Sequence, residues 1–258
     1  MVSGVLATVA AFANGYATPA SPSCASLKAA ELGSNVSVLS AESASAHDGW
    51  FGKKVEYCLV KVLVEPAINI WVGLPSDGSY NGRFMAVGGG GFAGSVSTAD
   101  LSPMLPLGYA CSATDTGHVG GALNGSFGML SPGVPNTQLQ IDFGWRSEHM
   151  MAVVSKQLIK LFYGSLPKFS FWNGCSTGGR QGLAMAQRFP YDYDGILAGA
   201  PAVHFEKLGL GQTWPQVPML MENKGTAVAK SKQDLATQAA IAACDALDVR
   251  RGDAKLPA

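Results

Sequence analysis

The sequence predicts an α/β fold organised around a largely parallel sheet, and two observations carry that expectation. Six short runs rich in β-branched and aromatic residues, at 55–64, 68–74, 84–87, 109–114, 169–172 and 195–198, are mostly bounded by Gly, Pro, Asn or Asp, as strands are. Segments with apolar residues at helical spacing fall between the later runs. Strands alternating with helices are joined by crossovers, which place the helices on the faces of a parallel sheet. A chain of 258 residues that is 47% hydrophobic has enough material for one sizeable core.

Taken in order, the first twenty residues, "MVSGVLATVAAFANGYATPA", have an apolar stretch followed by small residues. They are patterned as a secretory signal peptide, although no Lys or Arg precedes the apolar part. The run falls short of the roughly 20 apolar residues of a membrane span, so a secreted, extracellular protein with no membrane partner is expected. Residues 21–200 then carry the α/β core. Within it, "DFGWRSEHMMAVVSKQLIKLFYG" sets Met150, Val154, Leu158 and Leu161 on one helical stripe, and "RQGLAMAQRF" does the same with Leu183, Ala186 and Gln187 until Pro190 stops it. From 201 to 258 the character changes: irregular sequence with Gly, Pro and Met is followed by a polar helix from about 232 to 246. There is no internal repeat.

Eighteen basic and eighteen acidic residues cancel, the charged fraction is 14%, and no Lys/Arg cluster stands out, which argues against nucleic acid as a partner. Five cysteines, Cys24, Cys58, Cys111, Cys175 and Cys244, are an odd number, so at least one lacks a partner within the chain. Sequons at Asn35 and Asn124 fit an exported protein.

The chemistry is concentrated in "FWNGCSTGGRQGLAMAQRFP". Gly174-Cys175-Ser176-Thr177-Gly178 is a G-x-S-x-G sequence placed where a strand ends and a helix begins, the setting of a nucleophile elbow with Ser176 as the nucleophile. The flanking glycines let a sharp turn pass close to its neighbours. The following helix directs its free N–H groups toward charge developing on an attacked carbonyl. One oxyanion donor is then the N–H of Thr177. The second comes from "MAVGGGGFAG", where Gly88 to Gly91 follow an expected strand, with Gly90 or Gly91 as the donor. A phosphate-cradling role for this loop is disfavoured, because no Lys-Ser/Thr follows and no G-x-G-x-x-G leads into a helix. Of the candidate bases, His204 follows the strand expected beside the nucleophile strand but reads more simply as a loop or lid histidine. His118 and His149 read as structural histidines, and Asp115, Asp192 and Asp194 as turn and capping residues.

"RFMAVGGGGFAG", "GYACSATDTGH", "DFGWRSEH", "FWNGCSTGGRQGLAMAQRFPYDYDGILAGAPA" and "ACDALD", in that order from Cys24 to Asp248, resemble the secreted tannase/feruloyl esterase family of α/β-hydrolases. The resemblance implies an α/β-hydrolase core, incomplete at its C-terminus, with an inserted lid beginning after residue 200. It also implies a serine carboxylic-ester hydrolase that cleaves plant phenolic esters, feruloyl or galloyl, free or linked to polysaccharide, through an acyl-enzyme on Ser176. In such enzymes the cysteine beside the nucleophile is bonded to one beside the catalytic histidine, and the triad runs Ser, Asp, His-Cys. Nothing after Ser176 matches that Asp or His-Cys pair. The chain therefore reads as the N-terminal part of such an enzyme, inactive or weakly active as it stands, or as a non-catalytic module that keeps the pocket. By the same resemblance Cys175 and Cys244 lack their partners, Cys24 pairs with Cys58, and Cys111 is a small buried side chain. The sheet edge after Ala198 and the apolar faces of Trp172 and Leu183 are expected to be partly uncovered.

The chemistry needs no cofactor, but the family carries a structural calcium loop. Asp245 and Asp248 match its start; Val249 then stands where the loop has glycine, Arg250 and Arg251 follow, and Asp253 is one place late. Two carboxylates beside two arginines are a poor match to the six to eight oxygens calcium takes.

Overall fold

The computed structural model describes residues 23–47 and 54–250, with the backbone alone over 246–250. The expected signal peptide and Asp253 lie outside the described residues. The chain divides into two compact units, Met1–Ala202 and Val203–Ala258.

The strands of the first unit are β1 (Val36–His47), β2 (Lys54–Val64), β3 (Ile68–Pro75), β4 (Arg83–Val87), β5 (Ala110–Thr114), β6 (Met129–Ser131), β7 (Val134–Pro135), β8 (Phe169–Cys175) and β9 (Gly195–Gly199). Its helices are α1 (Thr98–Leu101), α2 (Thr137–Ile141), α3 (Ser147–Tyr163), preceded by a π-helical turn over Asp142–Arg146, and α4 (Thr177–Arg188). Seven strands form one sheet in the order β1-β2-β3-β5-β4-β8-β9, and β6 and β7 form a separate ribbon. The sheet is mixed. Its half from β5 to β9 is parallel, joined through β3 to an antiparallel half. The parallel half carries the candidate site.

All six expected strands are present. β2, β3 and β5 are legible because both faces of the sheet are covered there, and such strands are apolar throughout. Along β2, Cys58, Val60, Val62 and Val64 enter one core while Val55, Tyr57 and Leu59 enter the other, as the two-residue alternation of a strand requires. The first core also holds Ile68, Ile70, Val72 and Leu74 of β3, Trp172 of β8, and Met151, Val154, Leu158 and Ile159 of α3. The second is closed by Leu101 and Leu105 against Cys111 and Ala113.

Both helical stripes differ from expectation. On α3 the buried face is Met151, Ala152, Val154, Ser155, Leu158 and Ile159, with Leu161 46% exposed. The neighbouring pairs Met150/Met151 and Leu158/Ile159 allow the periodicity to be read one residue off. On α4 the buried residues are Thr177, Gly178, Gly179, Gln181, Gly182 and Met185, while Leu183 is 42% exposed. A glycine face packs there: a Cβ on Gly182 would lie 2.8 Å from the Trp172 ring. Hydropathy cannot register a face whose value lies in having no side chain. The same closeness covers Trp172, which is 1% exposed and edge-on to Tyr193 at 5.6 Å, so the expectation that its apolar face is uncovered is wrong. At the sheet edge, Leu197 of β9 is 65% exposed.

The second unit comprises α5 (Phe205–Thr213), α6 (Gln216–Glu222) and α7 (Lys230–Arg250). The segment expected to be irregular is thus helical. Pro215 stands at the N-cap of α6, a position where its missing N–H does no harm, so its presence was no evidence against a helix.

Cys24 and Cys58 form a disulfide with Cα atoms 5.4 Å apart, as the resemblance implied, and tie the short 3₁₀ helix Cys24–Ala29 to β2. The bridge closes a loop with a sequence separation of 34. Replacing both cysteines with alanine should lower the unfolding free energy by about 3–4 kcal/mol in urea titration. A change below about 1 kcal/mol would show that the loop contributes little to the chain entropy of the unfolded state.

Candidate active site

Ser176 occupies the turn between β8 and α4 with φ 59° and ψ −116°, in a region that side-chain-bearing residues rarely adopt. Neighbouring backbone over-determines this conformation. Ser176 N donates to Gly199 O at 3.0 Å, and Ser176 O accepts from Ala202 N at 3.0 Å and Arg180 N at 3.1 Å. The turn also needs glycine on both sides of the contact it makes. A Cβ on Gly174 would lie 2.5 Å from the carbonyl carbon of Gly178, and one on Gly88 would lie 2.6 Å from Gly178 Cα and 2.8 Å from the Trp172 ring. The end of β8, the first turn of α4 and the loop after β4 therefore meet backbone to backbone. Trp172 Nε1 closes the junction by donating to Gly178 O at 3.0 Å.

Most N–H groups of the loop after β4 already have acceptors. Gly88 N donates to Asn173 O (2.9 Å), Phe92 N to Ala122 O (2.8 Å), Ala93 N to Gly90 O (2.8 Å) and Gly94 N to Asp115 O (3.1 Å). Gly89 N donates to Gln181 Oε1 at 3.0 Å. Among the described residues, nothing accepts from the N–H groups of Gly90, Gly91 or Thr177. Thr177 Oγ1 donates to Gly91 O at 2.6 Å, binding the loop to the start of α4. Ser176 and Gly90 are both exposed. The arrangement presents a hydroxyl beside a helix N-terminus, with the unbonded donors on backbone whose position is fixed.

The histidines are engaged elsewhere. His118 Nδ1 lies 3.4 Å from Thr116 Oγ1 and its ring stacks on Phe127 at 3.6 Å. Burial lowers its basicity. His149 Nδ1 pairs with Asp192 at 2.8 Å and stacks on Phe189 at 3.9 Å. His204, in the second unit, is exposed and 3.9 Å from Glu206. Asp115, whose carboxyl burial pushes up, accepts from Asn69 and from Gly117 N, and Asp194 accepts from Ser170 N at 2.7 Å. Among the described residues no hydrogen bond joins Ser176 Oγ to a histidine.

Cys175 is an exposed free thiol beside Ser176; Cys244 is free and exposed, and Cys111 is free and buried, its thiol pushed well up by burial. Asp245 and Asp248 lie within the unbroken helix α7 rather than in a loop. Val249 stands where the calcium loop has glycine, and no helix-stopping residue intervenes. The Asp245 carbonyl lies inside the helix, where main-chain carbonyls bond to N–H groups four residues on. The described residues contain no group of three or more His, Cys, Asp or Glu suited to a metal.

Two residues of the site escaped the sequence reading. Gln181 and Glu148, 1% and 0% exposed, are hydrogen-bonded to each other beneath the loop. The available signal was a glutamate one turn before Met151 and Ala152, on the stripe that enters the core.

The family model for "Tannase and feruloyl esterase" matches residues 55–254. The chain belongs to the tannase and feruloyl esterase family. Its similarity extends to a "Probable feruloyl esterase" of Arthroderma benhamiae, 37% identical over 182 residues, 70% of this chain and 33% of the relative. "Feruloyl esterase B" of Aspergillus niger is 37% identical over 178 residues, 68% of this chain and 32% of the relative. The chain thus spans about a third of the length of these curated relatives. Among solved structures, feruloyl esterase B from Aspergillus oryzae superposes with a TM-score of 0.61 at 34% identity, over 72% of this chain and 38% of that one. Tannin acyl hydrolase from Aspergillus niger superposes with a TM-score of 0.68 at 23% identity, over 85% and 42%, and shares the α/β-hydrolase fold.

In this tannase-family chain, burial pushes the Glu148 carboxyl from 4.5 up to about 7, against the lowering effect of nearby Arg180. The folded chain therefore keeps a proton that the unfolded chain releases between these two values, and stability falls as pH rises through that window. Glu148→Gln has no such proton. Its stability relative to the parent should rise by on the order of 3 kcal/mol between pH 4 and pH 8. A difference that is constant with pH would show that Glu148 keeps an ordinary carboxylate's affinity for its proton.

Proposed function

We propose that this chain carries the nucleophile and oxyanion-binding part of a serine carboxylic-ester hydrolase acting on plant phenolic esters of feruloyl or galloyl type. The observation that carries the reading is Ser176 at a strained strand-to-helix turn, beside a loop and a helix start that leave three N–H groups unbonded. Ser176 Oγ attacks the ester carbonyl, and the electron pair moves to the carbonyl oxygen, which accepts from Thr177 N–H and from Gly90 or Gly91 N–H. Collapse of that intermediate expels the alcohol with a proton and leaves the phenolic acid bonded to Ser176. Water then releases the acid.

Each step needs a group that takes and returns the hydroxyl proton. Neither His118 nor His149 is bonded to Ser176 Oγ. Loss of a triad partner costs about four to six powers of ten, so we infer slow turnover by this chain alone. The phenolic substrate class is supported by the sequence resemblance and by the feruloyl esterases to which the chain is similar. Extracellular action is inferred from the N-terminal sequence; no described helix is long and apolar enough to cross a membrane.

The placement of the histidines also supports a second reading, a module that keeps the pocket without hydrolysing its ligand. An aryl ester of ferulic acid separates the two. Slow release of the phenol that disappears in Ser176→Ala is the expected result, and equal release by both proteins would favour the second reading.

A further inference from the structure

We propose that Gln181 and Glu148 are positioning residues for the oxyanion loop: the carboxyl fixes which way the Gln181 amide faces, and the amide oxygen holds Gly89 N–H. The chemistry of the three partners sets this polarity. Gly89 N–H can only donate, and Glu148 Oε1, the oxygen that faces the amide, accepts whether or not Oε2 carries the proton. A glutamine between them satisfies both in one orientation, with Nε2 toward Glu148 Oε1 and Oε1 toward Gly89 N at 3.0 Å. The flipped amide would set donor against donor at the half-buried Gly89 and acceptor against acceptor at the fully buried Glu148 Oε1.

The geometry gives this link a direct hold on the loop. Gly89 is tied to α4 through Gln181 and Gly91 through Thr177 Oγ1, and both anchoring residues lie in the first turns of the helix that Ser176 caps. Gly90 lies between these two ties, with nothing within 4 Å of a Cβ placed on it. Its N–H is aimed through its neighbours and through Ala93 N–H, which donates to Gly90 O at 2.8 Å. Arg180 and Tyr193 act on Glu148 electrostatically, Ser147 Oγ donates to Asp142 O at 2.7 Å, and the Arg180 guanidinium itself donates to Phe143 O and Gly144 O at 3.2 Å. Glu148 Oε2 is buried without a hydrogen bond among the described residues, so the Gln181 amide is the group through which this carboxyl reaches the loop.

The inference rests on the proposed role of the loop, and its test separates the two. Amide hydrogen exchange of Gly89 is read by NMR, against Phe84 in β4 as internal reference, in the parent, Gln181→Met, Glu148→Gln and the double variant Gln181→Glu/Glu148→Gln. The double variant exchanges the donor and acceptor ends and keeps both hydrogen bonds. Gln181→Met should speed Gly89 exchange by about tenfold and Glu148→Gln by less, with the double variant returning close to the parent. Where aryl-ester release depends on Ser176, Gln181→Met should lower kcat about ten- to hundredfold with KM unchanged, and the double variant should recover it. Absence of Ser176-dependent release counts against the proposed function alone, and the exchange measurement then decides the positioning role. Unchanged Gly89 exchange in Gln181→Met, or in Glu148→Gln if the former does not fold, overturns it. Failure of the double variant to restore exchange likewise overturns the assigned polarity.

Discussion

Everything at the candidate site depends on one contact: the backbone of the loop after β4 lies directly against the backbone of the first turn of α4. A Cβ added to Gly88 or Gly174 would come within 2.6 Å of Gly178 main-chain atoms, and one added to Gly178 would lie 3.1 Å from Gly89 O. Because these segments touch without side chains between them, the strained turn at Ser176 and the N–H groups of the loop are held by the same packing. Strain at one residue persists only where its surroundings over-determine it. Here β9, the segment to Ala202 and the first turn of α4 supply that constraint through hydrogen bonds to both backbone groups of Ser176.

The close approach also governs what lies beneath. With Gly178 and Gly182 against Trp172, α4 sits low on the sheet, and its next inward position, Gln181, brings a polar side chain into the core. Such a group requires a buried partner. Glu148, from the first turn of α3, provides it, at the cost of a carboxyl whose ionisation burial opposes. A leucine pair could fill comparable space without that penalty but would give Gly89 N–H no acceptor. The polar pair is thus intelligible from the loop above it rather than from the stability of the core.

Legibility from sequence followed burial. Strands covered on both faces were readable as continuous apolar runs, whereas β1, "VSVLSAESASAH", was missed because only Val38 and Ala46 along it are buried. The elbow was readable because its glycines answer to backbone geometry, and backbone geometry has a local signature. The glycine face of α4 and the Gln181–Glu148 pair were not, since each acquires meaning only against a partner distant in sequence. The aspartates of the expected calcium loop had the right local spacing, yet the helix α7 continues through them. His118 lies beside the hydroxyl of Thr116 and the ring of Phe127, and His149 beside Asp192, 43 residues away, and the ring of Phe189.

The backbone contact is tested most directly by comparing unfolding free energies of Gly88→Ala and Gly121→Ala. Neither glycine has a positive φ, and a Cβ at Gly121 meets nothing within 4 Å. Gly88→Ala should lose about 1–3 kcal/mol, from overpacking against α4 and Trp172. Gly121→Ala should leave stability unchanged or raise it by a few tenths of a kcal/mol, through the lower entropy of the unfolded chain. Equal effects at the two positions would contradict the claim that α4 and the loop after β4 meet backbone to backbone.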